Sequence, residues 1–487
     1  ASAYQTEGNN INNDWYHYEQ IEAKKPENKR KLAGICGQAT MQWQNYEQDY
    51  DLAQKMGVKI HRLSIEWSRI FPTPDKPDEE ALAIYKKQLV SLHQRGIKTM
   101  VCLHHFTIPI WVLQKGGFLN REYFLKQFQQ YLEVVIPYLS DEVDYWLPIN
   151  EPNIVPSASY LIGMFPPYKK NIFQYLRVYR LMIEMHAAAY HVIKKHDKSA
   201  PVGVAFAYMH FQPFNAKNKW QQFLSYLSAK WANRIFFEAV VNGRWSFPLG
   251  WGAAAPEVKG TLDFTGLNYY TTLYLKNTGP VPFKKGDVIT DMGWVVYPKG
   301  IYAILHQLFK ITNKPIIVTE NGTATTDESF RIDYYKSHLT EIHKYMSEGV
   351  PVKGYIAWSL TDNYEWQHAY SKKFGLIYAG SDDGLVNVSK DGGNSWQKIG
   401  DFPGFWVSMV QPSSFSESRV YLSLNAYRED DFRALLYSSD DFGKTWKKIG
   451  EDLPSEPINV IREDHTNENL LYVGTDNGLY ISLDRGK

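Results

Sequence analysis

The sequence predicts an α/β protein, a (β/α)8 TIM barrel lacking its first strand and last helix, followed by an all-β partial propeller of about two blades. Three observations carry that expectation. Between residues 40 and 378, short apolar runs alternate with longer helix-like stretches, the pattern of a parallel sheet covered by helices. Two of those runs end in a glutamate, where β-propensity stops and turn chemistry begins. After Tyr378 the helical texture ends, and short strands alternate with Gly-, Asp-, Asn- and Ser-rich turns.

Taken in order, the strand-like runs are 60–67, 99–105, 145–150, 202–208, 264–270, 316–320 and 354–360. The helical patterns between them are 49–56, 123–139, 173–195, 220–241, 300–309 and 331–347. These runs make seven strands where a closed barrel takes eight, so the missing one is expected ahead of Ala1. Beyond 378, the segment 377–385 recurs at 471–479. A second pattern, Ser-x-Asp-x-Gly-x-Ser/Thr-Trp, occurs at 389–396 and 439–446, and a third copy begins at Ser482. Copies roughly forty to fifty residues apart match the length of a four-stranded propeller blade. The expected domains are therefore 1–378 and 379–487. The join near 375–380 reads as that of a recombined or engineered chain. Trp396 and Trp446 are expected in blade cores, and Asp391 and Asp441 are expected to tie their own turns.

A chain of 487 residues can bury a large core. Its formal net charge of +1 gives no reason to expect nucleic acid or an anionic membrane as a partner. Its 15% aromatic content suits both a large core and stacking on sugar rings. Two cysteines, Cys36 and Cys102, make no disulfide framework, which favours a reducing, cytoplasmic setting and leaves an extracellular one open. No run is long enough to span a membrane and no leader pattern opens the chain. Exposed blade edges could support a homo-oligomer.

The chemistry lies in the two glutamate motifs. Asn150-Glu151-Pro152 closes one strand and Thr319-Glu320-Asn321-Gly322 closes another. Two carboxyls at the carboxyl ends of barrel strands can face one pocket, and hydrolysis of a glycosidic bond requires such a pair. In a retaining enzyme one carboxylate attacks while the other, held protonated, serves as acid and then as base.

With these motifs, residues 4–378 resemble the family 1 glycoside hydrolases, the β-glucosidase and β-galactosidase family. The segments 61–70, 266–270, 358–366 and 373–376 add to the resemblance, and the region after 378 resembles an Asp-box propeller of the sialidase and sortilin kind. The resemblance implies that Glu320 is the nucleophile and Glu151 the acid/base. Arg62 and Tyr270 would orient Glu320, and Asn150 would bind the sugar 2-hydroxyl. Gln5, His105, Asn268, Glu365 and Trp366 would hold the rest of the non-reducing sugar, with Trp358 beneath its ring and Phe374 at the pocket edge. Strand alternation sends His104 to the opposite face from His105. Glu365 is expected to repel a 6-phosphate, and an intact Glu151 separates this chain from the thioglucoside-cleaving branch. No cofactor or metal is implied, and the expected partner is a small β-glycoside. A non-catalytic sugar binder or scaffold stays open as the other function. A third idea, sialidase-like chemistry on Arg419, Arg428 and Arg433, would need more blades.

Overall fold

The computed structural model describes residues 2–325, 327–374, 385–388, 397–413, 415–416, 418–441, 443–464 and 467–486. The chain divides into two compact units, Ala1–Gly375 and Leu376–Lys487.

Among the described residues, the parallel strands at the centre of the first unit are seven: β1 (Ile60–Ser64), β2 (Lys98–Cys102), β3 (Tyr145–Leu147), β4 (Gly203–Ala207), β5 (Phe264–Asn268), β6 (Ile316–Asn321) and β7 (Val352–Ala357). All are parallel to their neighbours, and spatial order follows chain order. The β3–β4 step rests on the bridges Trp146–Val202 and Asn150–Ala205. Among the described residues no ladder joins β7 back to β1. Strands β4, β5 and β6 are wholly buried, whereas every residue of β7 keeps some exposure.

Strand alternation separates two apolar layers. Met100, Cys102, Leu147, Ala205, Phe264 and Ile317 form one cluster that draws on five strands, and Ile60 and Ile356 pack onto it from β1 and β7. Such a cluster lies inside the barrel. Leu63, Val101, Trp146, Val204, Leu267 and Val318 have the other parity and pack outward among the helices. The inward parity that places Ile60 also places Arg62, and that of Phe264 also places Asn268. Polar residues thus reach the barrel interior near the strands' carboxyl ends.

The covering helices are α1 (Gln42–Lys55), α2 (Glu79–Gln94), α3 (Arg121–Leu139), α4 (Ile172–His196), α5 (Lys219–Ala229), α6 (Ile235–Asn242), α7 (Pro298–Thr312) and α8 (Glu328–Met346). The expected helix 220–241 is divided by a wider π-type turn, Lys230–Arg234. The sequence reading had no helix at α2, although its signals are ordinary. The Asp78 carboxylate caps the Ala81 amide at 3.0 Å, Glu79 and Glu80 occupy the first turn, and Leu82, Tyr85, Leu89 and Leu92 form the buried stripe. The expected strand 60–67 stops at Ser64, because Glu66 caps a helical turn, Trp67–Ile70.

The second unit has a four-stranded antiparallel meander, Trp406–Pro412, Val420–Asn425, Leu435–Ser439 and Lys447–Lys448. A three-stranded meander follows, Ile458–Glu463, Leu471–Thr475 and Leu479–Ser482, and the pair Asn387–Val388 and Gln397–Lys398 precedes both. Alternation gives the middle sheet two apolar faces. Leu422, Leu424 and Leu435 pack with Val386 and Ile399, while Tyr421 and Leu436 pack with Ile458, Ile461 and Leu471. The sheets thus stack face to face.

The Asp-box at 389–396 lies outside the described residues. In the second copy the Ser439 hydroxyl donates to Asp441 at 2.8 Å and accepts the Gly443 amide at 2.9 Å. Asp441 also accepts the Thr445 amide at 2.9 Å, and the Trp446 indole donates to the Gly443 carbonyl at 2.9 Å. The Ser482 copy repeats the two serine bonds, at 2.8 and 2.6 Å. Ser439 is 2% exposed. Ser439→Ala therefore leaves a buried amide without its acceptor and should destabilise the second unit by about 1–3 kcal/mol. Faster hydrogen exchange at Gly443 with unchanged exchange in β4–β6 is the expected reading; an unaltered Gly443 rate would refute it.

Candidate active site

The site forms where β1, β3, β5 and β6 end. A β-type backbone brings Arg62 inward from β1, and its guanidinium forms a buried ion pair with Glu320 at the end of β6. The same guanidinium donates to Asn150 Oδ1 at 2.5 Å. Tyr270 donates its hydroxyl to the other Glu320 oxygen, Oε2, at 2.6 Å. Burial first, and then the Glu320 charge, push the Tyr270 phenol well above its ordinary range, so it stays a donor.

Glu151 follows Asn150 immediately and has a left-handed backbone, φ +48°, its amide bonded to the Ala205 carbonyl at 2.6 Å. This turn aims the carboxyl back into the site, where Asn268 Nδ2 donates to it at 2.9 Å. The Glu151 carboxyl is pushed up to about 8, by burial first and then by the negative charge of Glu320. Glu365 is pushed up to about 8 by the same two causes in the same order. A buried cation neutralises one carboxylate, and the two carboxyls facing that carboxylate hold their protons at neutral pH.

Other predicted residues surround this centre. His105 receives the Asn150 amide on Nε2 at 3.0 Å. Its imidazole is held well below its ordinary range by burial and then by Arg62, so it is neutral. His104 instead lies edge-on to Phe118, and burial pushes it down to about 3. Trp358 and Phe374 are buried in one cluster with Tyr270 and Trp294 against them. Trp366 is 5% exposed and packs among Tyr4, Trp15, His105 and Phe106.

Gln5 lies beside Glu365, its amide nitrogen 3.5 Å from Glu365 Oε2. It is fully buried, its amide nitrogen donates to Asn363 Oδ1 at 3.1 Å and the Tyr364 carbonyl at 2.8 Å, and its oxygen accepts Ser2 Oγ at 2.9 Å. With both ends of the amide engaged by the protein, Gln5 braces the 363–365 loop.

Sequence reading gave no role of its own to Thr319, whose hydroxyl donates to Asn268 Oδ1 at 2.7 Å. It also gave no reason for two glycines of the motifs. A Cβ on Gly266 would meet the Val204 carbonyl oxygen at 2.4 Å and the Thr319 side chain at 2.8 Å; one on Gly322 would meet the Trp358 carbonyl oxygen at 1.9 Å. A glycine followed within a few residues by a site residue is the signal that could have drawn notice to Gly266. In the second unit, Arg419 is held by Asp440 at 2.7 Å and Glu468 at 3.2 Å, Arg433 pairs with Asp431, and Arg428 lies over the Trp406 ring. Each has a structural partner.

A sequence profile of glycosyl hydrolase family 1 matches residues 1–402. The chain belongs to glycosyl hydrolase family 1. The match runs past residue 378, where the sequence texture places the boundary, and enters the second unit. Beta-glucosidase A of Thermotoga maritima is 31% identical over 76% of this chain and 85% of its own length. A beta-galactosidase of Saccharolobus solfataricus is 29% identical over 75% and 85%. Among solved structures, a beta-glycosidase from Pyrococcus horikoshii is similar with a TM-score of 0.68 and 33% identity, over 77% of this chain and 87% of that one. These family 1 glycosidases have the (β/α)8 barrel, and the described residues of the first unit supply seven parallel strands in that order.

Buried carboxyls, two of them in the site, fix a stability signature. Asp14, Glu151 and Glu365, each pushed up to about 8, stay protonated in the fold at a pH where the unfolded chain has ionised them. Unfolding then releases protons, so stability falls as pH rises toward 8. The buried histidines act in the opposite sense, but only below their ordinary value of 6.5. The melting temperature of the first unit should therefore drop between pH 6.5 and 8, and Glu365→Gln should flatten that drop. Equal slopes in the two proteins, measured by calorimetry, would count against the assignment.

Proposed function

We propose that the first unit is a retaining β-glycosidase that releases terminal non-reducing β-D-glucosyl or β-D-galactosyl residues by double displacement. The observation that carries this reading is the division of labour between two carboxyls. Glu320 is paired with Arg62 and held by Tyr270, while Glu151 keeps a proton up to about pH 8.

In the proposed sequence Glu320 attacks the anomeric carbon as the bond to the leaving oxygen breaks and Glu151 gives that oxygen its proton. Esterification removes the charge of Glu320, the second cause of the raised Glu151 value. The Glu151 proton affinity falls, and its carboxylate can take a proton from water as that water attacks the sugar. Both carboxyls then return to their starting states, and the product leaves with its β configuration. Asn150, fixed by Arg62 and His105, suits a contact to the sugar 2-hydroxyl, and Trp358, Trp366 and Phe374 supply apolar surface for the ring. The family relatives named as beta-glucosidase and beta-galactosidase support both sugars.

The second unit is read as an Asp-box propeller fragment. Two box turns with one hydrogen-bond scheme and meanders stacked through both faces support that reading.

Aryl β-glycosides should be hydrolysed, and Glu320→Gln should lower kcat by at least about a thousandfold. In a proton NMR time course the first product should be the β-anomer; an α-anomer first would rule out double displacement. kcat/KM should fall as pH rises through about 8, as Glu151 loses its proton. Folded protein with no turnover on glucoside or galactoside would overturn the reading.

A further inference from the structure

We propose that Thr319 is a positioning residue that fixes the orientation of the Asn268 amide and thereby sets the proton affinity of Glu151. The inference rests on the reading of Glu151 as the acid/base group.

The direction of the network follows from Arg62. A guanidinium has donors only, so the Asn150 atom it meets at 2.5 Å is the oxygen, Oδ1. The Asn150 nitrogen therefore faces His105 Nε2 at 3.0 Å, and the neutral imidazole accepts there and carries its proton on Nδ1. Asn150 Oδ1 also lies 3.3 Å from the Asn268 amide, which must present nitrogen to it. That same nitrogen donates to Glu151 Oε1 at 2.9 Å. Asn268 Oδ1 is left pointing the other way, fully buried, and the Thr319 hydroxyl donates to it at 2.7 Å. Thr319 is itself fully buried, and its side chain occupies space that only a glycine at 266 leaves open.

Donation from Asn268 favours the ionised Glu151 and so opposes burial and Glu320. Without the Thr319 hydroxyl, Asn268 Oδ1 is a buried acceptor without a donor, which destabilises the working orientation. Turning the amide over would let that oxygen accept the proton of Glu151, so the neutral acid gains and the carboxylate loses a donor. The carboxylate is the form needed when water attacks the glycosyl-enzyme.

The test is the Glu151 titration, followed by NMR of protein carrying 13Cδ-labelled glutamate, with the resonance identified by its absence in Glu151→Gln. This readout needs no turnover. Thr319→Val should raise the midpoint by at least about half a pH unit, and Thr319→Ser, which keeps the hydroxyl, should return it to that of the unaltered chain. Thr319→Ala serves if valine disturbs β6, with the same upward shift expected. A wild-type midpoint in the hydroxyl-free variants overturns the proposal, as does a shift that serine does not reverse. Full activity in Glu320→Gln would instead defeat the reading of the site while leaving the Thr319 titration result standing.

Discussion

The ion pair between Arg62 and Glu320 is the constraint on which the site depends. Both groups are buried, and taking two charges out of water is costly unless every remaining donor and acceptor is met. Glu320 receives Arg62 on one oxygen and Tyr270 on the other. Arg62 reaches across to Asn150 as well. Because the guanidinium cannot accept, its donors impose a direction on all that follows: the Asn150 oxygen faces it, His105 accepts, and Asn268 presents nitrogen. The pair joins the middle of β1 to the end of β6, two strands that do not adjoin in the sheet, so both must keep their places for it to exist. Geometry and electrostatics here are the same requirement.

One cation serves three carboxyls. Arg62 neutralises Glu320, and the field of that carboxylate, added to burial, keeps protons on Glu151 and Glu365. This changes the argument for Glu365. As an ionised group it was expected to repel a 6-phosphate. Near neutral pH it is instead a neutral acid that can donate one hydrogen bond and accept another, which suits paired sugar hydroxyls. In the proposed function, selection of an uncharged sugar would then rest on hydrogen bonding, because a phosphate dianion would meet a group with no cation's charge to offer.

Much of this was legible in the sequence, for physical reasons. Strands buried between layers are mostly apolar, so β4, β5 and β6 read as apolar runs, and the glutamates at the end of β6 and just past β3 broke that pattern visibly. The helix α2 went unpredicted although a cap, an acidic first turn and an apolar stripe mark it in the sequence. The place of Gln5 against the loop 363–365 was not legible, because a motif records residue identity and order, not which groups the fold brings together. Thr319 was read as part of its motif, but its bond to Asn268 was invisible for a related cause. A threonine in a strand has an obvious β-propensity role, and its hydroxyl bond to Asn268 joins residues 51 positions apart.

The glycines complete that argument. In the Gly266-to-Tyr270 motif the sequence shows a small residue two positions before an asparagine, which alone means little. In the barrel those two positions face inward on one strand, and the missing Cβ leaves room for the neighbouring strand's Thr319. The threonine then meets Asn268, and Asn268 meets Glu151. Close approach of β4, β5 and β6 is thus what converts a run of letters into a hydrogen-bond path from β6 to Glu151. A larger residue at 266 would act on the chemistry through packing, without touching substrate or either glutamate.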